Sequence, residues 1–362
     1  MGIYFTVNDG LKYEFERRCN AESHGKQINN QEDMTKEFPI NKKQLVEKYV
    51  SLERILNEKW HPNTTLGAAI QGNGLLTDHG VDHINAVMHH ALEILGTSLR
   101  YLSGYEIYLL LLAIHFHDLG NIYGREQHEE KIGEVMQSLG EALELDRVER
   151  EFVFAIAKAH GGYNDGDKDT IRYVNVDETC NGVQVRAKML AAVLRFADEI
   201  SDDFSRAAYD SMNIPKENEV FHLYSKVLEP VSIQGETIKF HFRIPYEYTQ
   251  NRVGKGDEEV FLYDEILSRL TKCMRELEYC RRYANGFINI TTLSVTIDLM
   301  SERNILKRKE RLSFRLNLLG YPSEKVSNLE NYLELNEIEN ADTQKIPKYR
   351  SGEELKKAMK GE

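Results

Sequence analysis

Helical periodicity dominates the chain between about residues 41 and 204. The first stretch, NKKQLVEKYVSLERILNEKW, spaces its leucines and a tyrosine three or four residues apart, which is typical of an amphipathic helix. The segment GYEIYLLLLAIHFHDLG is apolar on every side, so we predict a central buried helix there. Four further helices are predicted over VDHINAVMHHALEIL, QHEEKIGEVMQSLGEAL, RVEREFVFAIAKAH and QVRAKMLAAVLRFADEISDDF.

Both ends of the chain depart from this pattern. Residues 1–40 are polar and weakly patterned, which predicts an irregular or short-strand lead-in. From about residue 220 apolar and polar positions alternate, which indicates paired strands with a turn at Gln234-Gly235. A helix over 262–285 and a strand over FINITTLSVTIDL complete a small α+β unit. The charged sequence from about residue 320 predicts a surface helix and a loose Lys-rich tail.

Composition and charge place the chain among soluble globular proteins. Hydrophobic residues make up 41% of the 362 and charged residues 29%. The net charge of −12 argues against a nucleic-acid or anionic-membrane binder, because phosphate groups need a positive surface. A bound cation inverts the field locally, so a nucleotide substrate is compatible with this charge. We therefore interpret the basic run KRKERLSFR as a solvated face or an oligomer contact.

Two further features bear on where the protein works. The longest apolar segment, Ile107–Phe116, is far shorter than the ~20 residues that a membrane span needs. The four cysteines have no CxxC spacing, which predicts reduced thiols in a reducing compartment. We therefore expect a cytoplasmic protein that does not contact a membrane.

Histidines and aspartates interrupt the apolar faces of the predicted helices. A buried histidine or aspartate costs free energy unless it is hydrogen-bonded or bound to a metal, and several that converge on one site would offset that cost together. Imidazole and carboxylate ligands suit a divalent ion of Mn, Mg, Fe, Ni, Zn or Co, and the lack of cysteine argues against a thiolate zinc site. The residues concerned are His83, His117, Asp118, His128, His160 and Asp198.

The order of four of these residues resembles the HD-domain metal-dependent phosphohydrolase superfamily. DHINAV is similar to the helix with the first histidine, AIHFHDLGN to the His-Asp doublet with its following glycine, and LRFADEI to the helix with the last aspartate. The resemblance covers about residues 76–210. It implies that one metal ion is held by His83, His117, Asp118 and Asp198. Without this context, a lone His117-Asp118 pair would be more typical of a helix end.

Two further histidines occupy positions where many members of the superfamily bind a second ion or place an acid or base. They are His128 and His160, although His160 precedes Gly161-Gly162 where the bimetallic cyclic-dinucleotide branch usually has adjacent histidines. The alternative for His128 is a solvated first-turn residue, and for His160 a favourable charge at a helix C-terminus. His79 is either a proton donor or part of a helix cap.

The neighbouring sequence offers further candidates. His89 and His90 should point away from the face of His83, so we predict that both are exposed. Cations close to the motifs could bind substrate phosphates, and these are Arg125, Lys131 and Arg206.

The sequence thus predicts a mostly α protein with an HD-domain helical core, an N-terminal helical extension and a small C-terminal α+β appendage. The expected divisions are a partly helical extension over 1–75, the metal-binding core over 76–215, the α+β appendage over 216–320 and a charged tail over 321–362. The expected function is that of a divalent-metal nucleotide phosphohydrolase resembling deoxynucleoside triphosphate triphosphohydrolases, with manganese as one suitable ion. The alternatives are a phosphodiesterase of a cyclic or oligonucleotide signal and a nucleotide-sensing module. We expect a homo-oligomer and no nucleic-acid partner.

Overall fold

The chain divides into two compact units. The computed structural model describes residues 10–20, 37–39, 42–64, 80–161, 166–202, 214–301, 308–318 and 348–360. Among these, residues 10–64, 80–198 and 283–288 form the first unit, and residues 199–282 and 289–360 form the second. The four divisions expected from the sequence stay predictions.

The first unit is helical. Its helices are α1 (Leu11–Asn20), α2 (Lys42–Ile55), α3 (Val81–Leu95), α4 (Gly104–Phe116), α5 (His128–Leu139), α6 (Arg147–Lys158) and α7 (Ala187–Glu199), the last of which runs to the unit boundary. A short antiparallel pair, β1 (Thr179–Cys180) and β2 (Val183–Gln184), precedes α7. None of the described helices is both long and apolar enough to cross a membrane.

Helix α4 is the centre of this unit, as its apolar sequence predicts. Every one of its 13 residues is buried, and α1, α2, α3 and α6 pack around it. It begins with a capping box, in which Ser103 Oγ accepts from the Glu106 amide at 3.1 Å and Glu106 Oε2 accepts from the Ser103 amide at 2.8 Å. Arg186 pairs with the same glutamate at 2.6 Å. A rigid, fully packed α4 therefore fixes the position of the residues that follow its C-terminus.

The irregular lead-in predicted for residues 1–40 is wrong over α1. Leu11, Phe15 and Cys19 are buried, and their spacing of four places them on one face of the helix. Phe15 packs edge-on against Tyr49 with ring centroids 5.8 Å apart and lies 5.6 Å from Tyr108. Only three apolar positions carry this helix, which is why the polar pattern around them concealed it.

The second unit combines helices with a four-stranded sheet. Its elements are α8 (Glu219–Val227), β3 (Ser232–Gln234), β4 (Thr237–Pro245), β5 (Val253–Lys255), β6 (Glu258–Val260), α9 (Leu262–Tyr283), β7 (Thr292–Met300), β8 (Arg308–Asn317) and α10 (Gly352–Lys360). The sheet order is β3-β4-β7-β8, with β4 and β7 parallel and the outer pairs antiparallel; β5 and β6 form a separate hairpin. The connection from β4 to β7 runs through α9, as parallel neighbours require.

Sequence alternation predicted this sheet only in part. The turn at Gly235 is confirmed, and this residue has a φ of 61°, which glycine adopts without strain. The strand predicted from residue 220 is wrong over α8, where Val220, Tyr224 and Val227 are buried at helical spacing. In β8 the residues Leu312, Phe314 and Leu316 are buried while Arg311, Ser313 and Arg315 between them are exposed. Arg311 and Arg315 of the basic run thus lie on the solvated side of the strand.

Candidate metal centre

Three helices of the first unit bring the four predicted ligands together. His83 lies on α3, His117 and Asp118 follow α4 directly, and Asp198 lies at the end of α7. One nitrogen or oxygen from each lies within 4.8 Å of all the others. His83 Nε2 is 3.3 Å from His117 Nε2 and 3.2 Å from Asp198 Oδ1. The two histidines are fully buried, so their ring nitrogens converge on a space shielded from solvent.

A second group adjoins the first and shares Asp118 with it. Asp118, His128 and His160 also offer ligand atoms within 4.8 Å of one another. Asp118 Oδ1 lies 3.3 Å from His128 Nε2 and 3.7 Å from His160 Nε2, and the two ring nitrogens are 3.3 Å apart. The glycines after His160 therefore do not keep this histidine from the group.

The two oxygens of Asp118 face different groups. Oδ2 lies 3.5 Å from His83 Nε2 and 3.3 Å from His117 Nε2, whereas Oδ1 faces His128 and His160. A carboxylate in this position would offer one oxygen to each ligand group. The backbone favours the arrangement, because Asp118 stands at the start of a 3-10 turn over Leu119–Tyr123 directly after α4.

Three of the histidines are oriented by the same local hydrogen bond. Nδ1 of His117 lies 2.7 Å from the carbonyl of Ile114, three residues earlier in the chain. The Nδ1 atoms of His128 and His160 likewise lie 3.2 Å and 2.6 Å from the carbonyls three residues before them. A carbonyl only accepts, so each Nδ1 carries a proton, and each Nε2 faces the site, where it can bind a metal ion or take up a second proton. This is the arrangement that ligating histidines need.

The segment that carries His160 is anchored from α7. Thr170 Oγ1 donates to the carbonyl of Ala159 at 2.7 Å, and the Arg195 guanidinium donates to Thr170 Oγ1 at 2.6 Å. Arg195 Nη1 also reaches the carbonyl of Gly161 at 3.3 Å. Buried polar contacts on both sides of His160 thus hold its backbone in place.

Gly120 allows the His128 helix to approach Asp118. A Cβ on Gly120 would lie 1.8 Å from the carbonyl oxygen of His128, which is closer than atoms can come. The residue before His128, Gln127, has a φ of 51°, in the left-handed region that costs a non-glycine residue free energy. The close approach and this strained start of α5 together set where His128 stands.

Charge also couples the four ligands. Burial lowers the pKa of His117, but the Asp118 and Asp198 carboxylates outweigh it and raise the pKa to about 10. Burial raises the pKa of Asp198, yet hydrogen bonds with His117 and His83 hold it well below its usual range. In the ion-free protein a proton on His117 therefore balances the carboxylates, and a bound cation would take over that role.

The donor set fits a divalent ion. Bonds of about 2.1 Å from nitrogen or oxygen to a divalent ion place neighbouring ligands roughly 3.0–3.4 Å apart. The separations of 3.2, 3.3 and 3.5 Å from His83 Nε2 to Asp198, His117 and Asp118 are close to these values. Two imidazoles and two carboxylates, with no thiolate, agree with the divalent ions expected from the sequence.

The predicted phosphate-binding cations differ in their placement. Arg125 lies at the edge of the site, with Nη1 3.7 Å from Asp118 Oδ1 and its side chain 42% exposed. Lys131 instead donates to the carbonyl of Tyr123 at 3.0 Å and belongs to neither ligand group. Arg206 and His79 lie outside the described residues.

Asn121 is a residue of the site that the sequence did not single out. It is fully buried, and its Nδ2 donates to Asp118 Oδ1 at 3.0 Å while its Oδ1 accepts from Arg125 at 3.2 Å. It thereby orients the carboxylate and the arginine together. Its position three residues after Asp118 in a turn was the available signal.

Another group of ligand-type side chains lies along α3. His89, His90 and Glu93 also come within 4.8 Å of one another. The prediction that both histidines are exposed is wrong for His90, which is only 4% exposed. Its face of α3 packs inward beside Ala91 and Ile94.

A cavity of about 420 Å³ opens beside the second ligand group. Glu129 and Ala159, the chain neighbours of His128 and His160, are part of its wall, and Phe154 and Tyr173 contribute aromatic rings. Lys158 and Glu130, paired at 2.5 Å, line it as well. Its volume falls in the range of about 300–1,000 Å³ common for small-molecule sites.

A helical core that gathers histidines and aspartates from three helices around a shared carboxylate defines an HD-type domain with a candidate divalent-metal site. The HD-CE family model matches residues 74–272, more than half of the chain, and the chain belongs to this family. This match extends past the region in which the sequence motifs lie. No curated protein and no solved structure matches the chain. The family and the site together indicate a metal-dependent HD hydrolase.

Proposed function

We propose that this protein is a metal-dependent phosphohydrolase that acts on a nucleotide, with release of triphosphate from a (deoxy)nucleoside triphosphate as the favoured reaction. The observation that carries the proposal is the position of Asp118, whose two oxygens face two separate groups of histidines. Two neighbouring ligand groups that share a carboxylate suit phosphoryl chemistry, in which attacking and leaving oxygens need stabilisation at once.

A bound divalent ion would supply positive charge for the phosphoryl oxygens and lower the pKa of an attacking water. The protein's own residues orient the reactants around it. Asp118 would orient the attacking water, and the hydrogen bond that it accepts from Asn121 at 3.0 Å keeps its carboxylate from rotating. His128 or His160 delivers a proton to the leaving oxygen.

The surroundings of the site support a nucleotide substrate. Arg125 stands 3.7 Å from Asp118 with an exposed side chain, where it can bind a substrate phosphate. The adjacent cavity offers Phe154 and Tyr173 for stacking on a base and Asn175 for hydrogen bonds. Glu129 and Glu130 in its wall disfavour phosphates there, so the nucleoside rather than the phosphate chain would enter it.

A substrate panel tests the proposal. Purified protein loaded with Mn²⁺ is incubated with dNTPs, NTPs, nucleoside monophosphates and cyclic dinucleotides, and products are separated by chromatography. Inorganic triphosphate and a nucleoside support the favoured reaction. A linear product from a cyclic dinucleotide would instead support the phosphodiesterase, for which the second ligand group is the favourable observation.

Two variants make the panel decisive. Asp118→Asn should abolish turnover, whereas Asp82→Asn, an exposed carboxylate next to His83 in the chain, should leave it unchanged. Nucleotide binding without turnover by any substrate or divalent ion would refute both enzyme reactions and favour the sensor.

A further inference from the structure

A separate group of three ligand-type side chains lies in the C-terminal half of α3. His89, His90 and Glu93 each offer an atom within 4.8 Å of the other two. Glu93 Oε2 lies 3.5 Å from His89 Nε2 and 3.1 Å from His90 Nδ1, so one carboxylate oxygen faces two imidazole nitrogens. None of the three belongs to either ligand group of the candidate metal centre.

The spacing of these residues along the helix explains why they converge. Glu93 follows His89 by four residues and His90 by three, and both separations bring side chains of successive helical turns together. Glu93 is thus the common neighbour of two adjacent histidines. All three residues come from one continuous helix, so their arrangement is built into α3 itself.

The group is too far from the candidate metal centre to share an ion with it. His83, the ligand that α3 contributes to that centre, precedes His90 by seven residues. At 1.5 Å per residue this is about 10 Å along the helix axis, whereas two ligands of one ion are at most about 4.2 Å apart. An ion bound by His89, His90 and Glu93 would therefore be an additional one.

The three side chains form a set that solvent can reach from one side. His90 is buried, whereas the side chains of Glu93 and His89 are 21% and 28% exposed. An ion can enter from this side and keep water as its remaining ligand. Burial lowers the pKa of His89, and the Glu93 carboxylate opposes this only in part. The His89 ring is therefore neutral at physiological pH, as a metal ligand must be.

The end of α3 also favours a cation electrostatically. Glu93 lies in the last turn of this helix, and that turn has no basic residue. The carbonyl groups at a helix C-terminus carry partial negative charge, which disfavours a carboxylate there and favours a cation. A divalent ion bound to Glu93 would offset both negative charges.

We propose that His89, His90 and Glu93 form an additional metal site that binds Zn²⁺ or a similar transition-metal ion. Bonds of about 2.1 Å place neighbouring ligands roughly 3.0–3.4 Å apart, close to the observed 3.1 and 3.5 Å. Imidazole ligands bind Zn²⁺, Ni²⁺ and Co²⁺ more tightly than Mn²⁺, which is at the weak end of the series. The bound ion links successive turns of α3, the helix that carries His83.

Zinc content tests the site. Metal-free protein is dialysed against Zn²⁺, freed of excess ion and measured by elemental mass spectrometry. His89→Ala and Glu93→Gln should each retain one Zn²⁺ per chain fewer than wild type, because each change removes one of three ligands. Zinc contents equal to that of wild type in both variants would overturn the proposal.

The matched control is His241→Ala. His241 likewise pairs with one carboxylate, Asp298 at 2.9 Å, and its side chain is 37% exposed. Among the described residues this pair has no third ligand to complete a metal-binding group. His241→Ala should therefore retain as much zinc as wild type, and a loss equal to that in His89→Ala would overturn the proposal.

Nitrogen NMR of histidine-labelled wild-type protein reads the site without any variant. Zn²⁺ should shift the Nδ1 resonance of His90, whereas the histidines of the candidate metal centre face it with Nε2. An unshifted His90 Nδ1 would overturn the proposal. The inference does not rest on the proposed hydrolase function, so Asp118→Asn should show the same His90 shift even though it lacks turnover.

Discussion

Replacing Gly120 with alanine should disable the second ligand group while leaving the first intact. The new Cβ would lie 1.8 Å from the carbonyl oxygen of His128 and 2.8 Å from its carbonyl carbon. Real Cβ contacts are essentially never under 3.0 Å, so the two backbones must separate by at least 3.0 − 1.8 = 1.2 Å. The backbone of α5 has to move, because no flexible side chain can yield instead.

That displacement is large on the scale of metal coordination. Two ligands of one ion can be no farther apart than twice a bond of about 2.1 Å, or about 4.2 Å. His128 Nε2 and Asp118 Oδ1 are now 3.3 Å apart, and a further 1.2 Å directed away from Asp118 gives about 4.5 Å. His83, His117 and Asp198 lie on other helices and should keep their ion. The overpacking should also cost about 1–3 kcal/mol of unfolding free energy.

The assay is metal content by elemental mass spectrometry, combined with urea unfolding. Gly133→Ala is the matched control, because it lies in the same helix and its Cβ would make an ordinary 3.5 Å contact with Phe154. Alanine in place of a helical glycine should stabilise by about 0.5–1 kcal/mol and leave the metal content unchanged. Wild-type stability and wild-type metal content in Gly120→Ala would contradict the claim that the close contact between Gly120 and the His128 carbonyl positions His128.

Three further outcomes are expected. Adding Mn²⁺ to metal-free protein in weak buffer at pH 8 should release about one proton, because the carboxylates raise the pKa of His117 to about 10 against the effect of burial. The release should vanish above about pH 10. Absence of proton release at pH 8 would contradict the coupling between His117 and the carboxylates. Hydrogen bonds from Arg311 lower the pKa of Asp298 to about 2, so the contribution of Asp298 to stability is present above about pH 4 and is lost as the pH falls through 2. In urea unfolding, Asp298→Asn should have a lower free energy of unfolding than wild type at pH 7 and the same value below about pH 2. Burial raises the pKa of Cys180 to about 12 and that of Cys273 well above its usual range, so neither should react with a thiol reagent at pH 8 until urea unfolds the protein.

The four candidate ligands of the first group could be singled out because each has a local sequence signal. His83 stands on an amphipathic helix, His117-Asp118 ends an apolar one, and Asp198 ends another. Sequence order cannot give the two-sided position of Asp118, because that depends on how α3, α4 and α5 pack. The sequence left undecided whether His128 and His160 have a structural or a functional role. The structure brings both to the same carboxylate.

A buried hydrogen-bonded row that joins Tyr49, His115 and His61 was concealed for a different reason. His115 lies in a run of apolar residues that reads as pure core, and His61 opens a stretch rich in proline and glycine that reads as a loop. Tyr49 and Glu53, four residues apart on one helix, look like an ordinary pair on an amphipathic helix. His115 contacts His61 and Tyr49 across sequence separations of 54 and 66 residues. No local sequence pattern predicts contacts between positions so far apart.

Metal content of the purified protein shows whether Asp118 belongs to a metal centre. Wild-type protein and Asp82→Asn, loaded with Mn²⁺ and freed of excess ion, should retain bound metal at the same molar ratio. Asp118→Asn should lose it, because this change removes the carboxylate charge that both ligand groups share. Equal metal in Asp118→Asn and wild type would contradict the assignment of the centre, and the hydrolase function proposed from it.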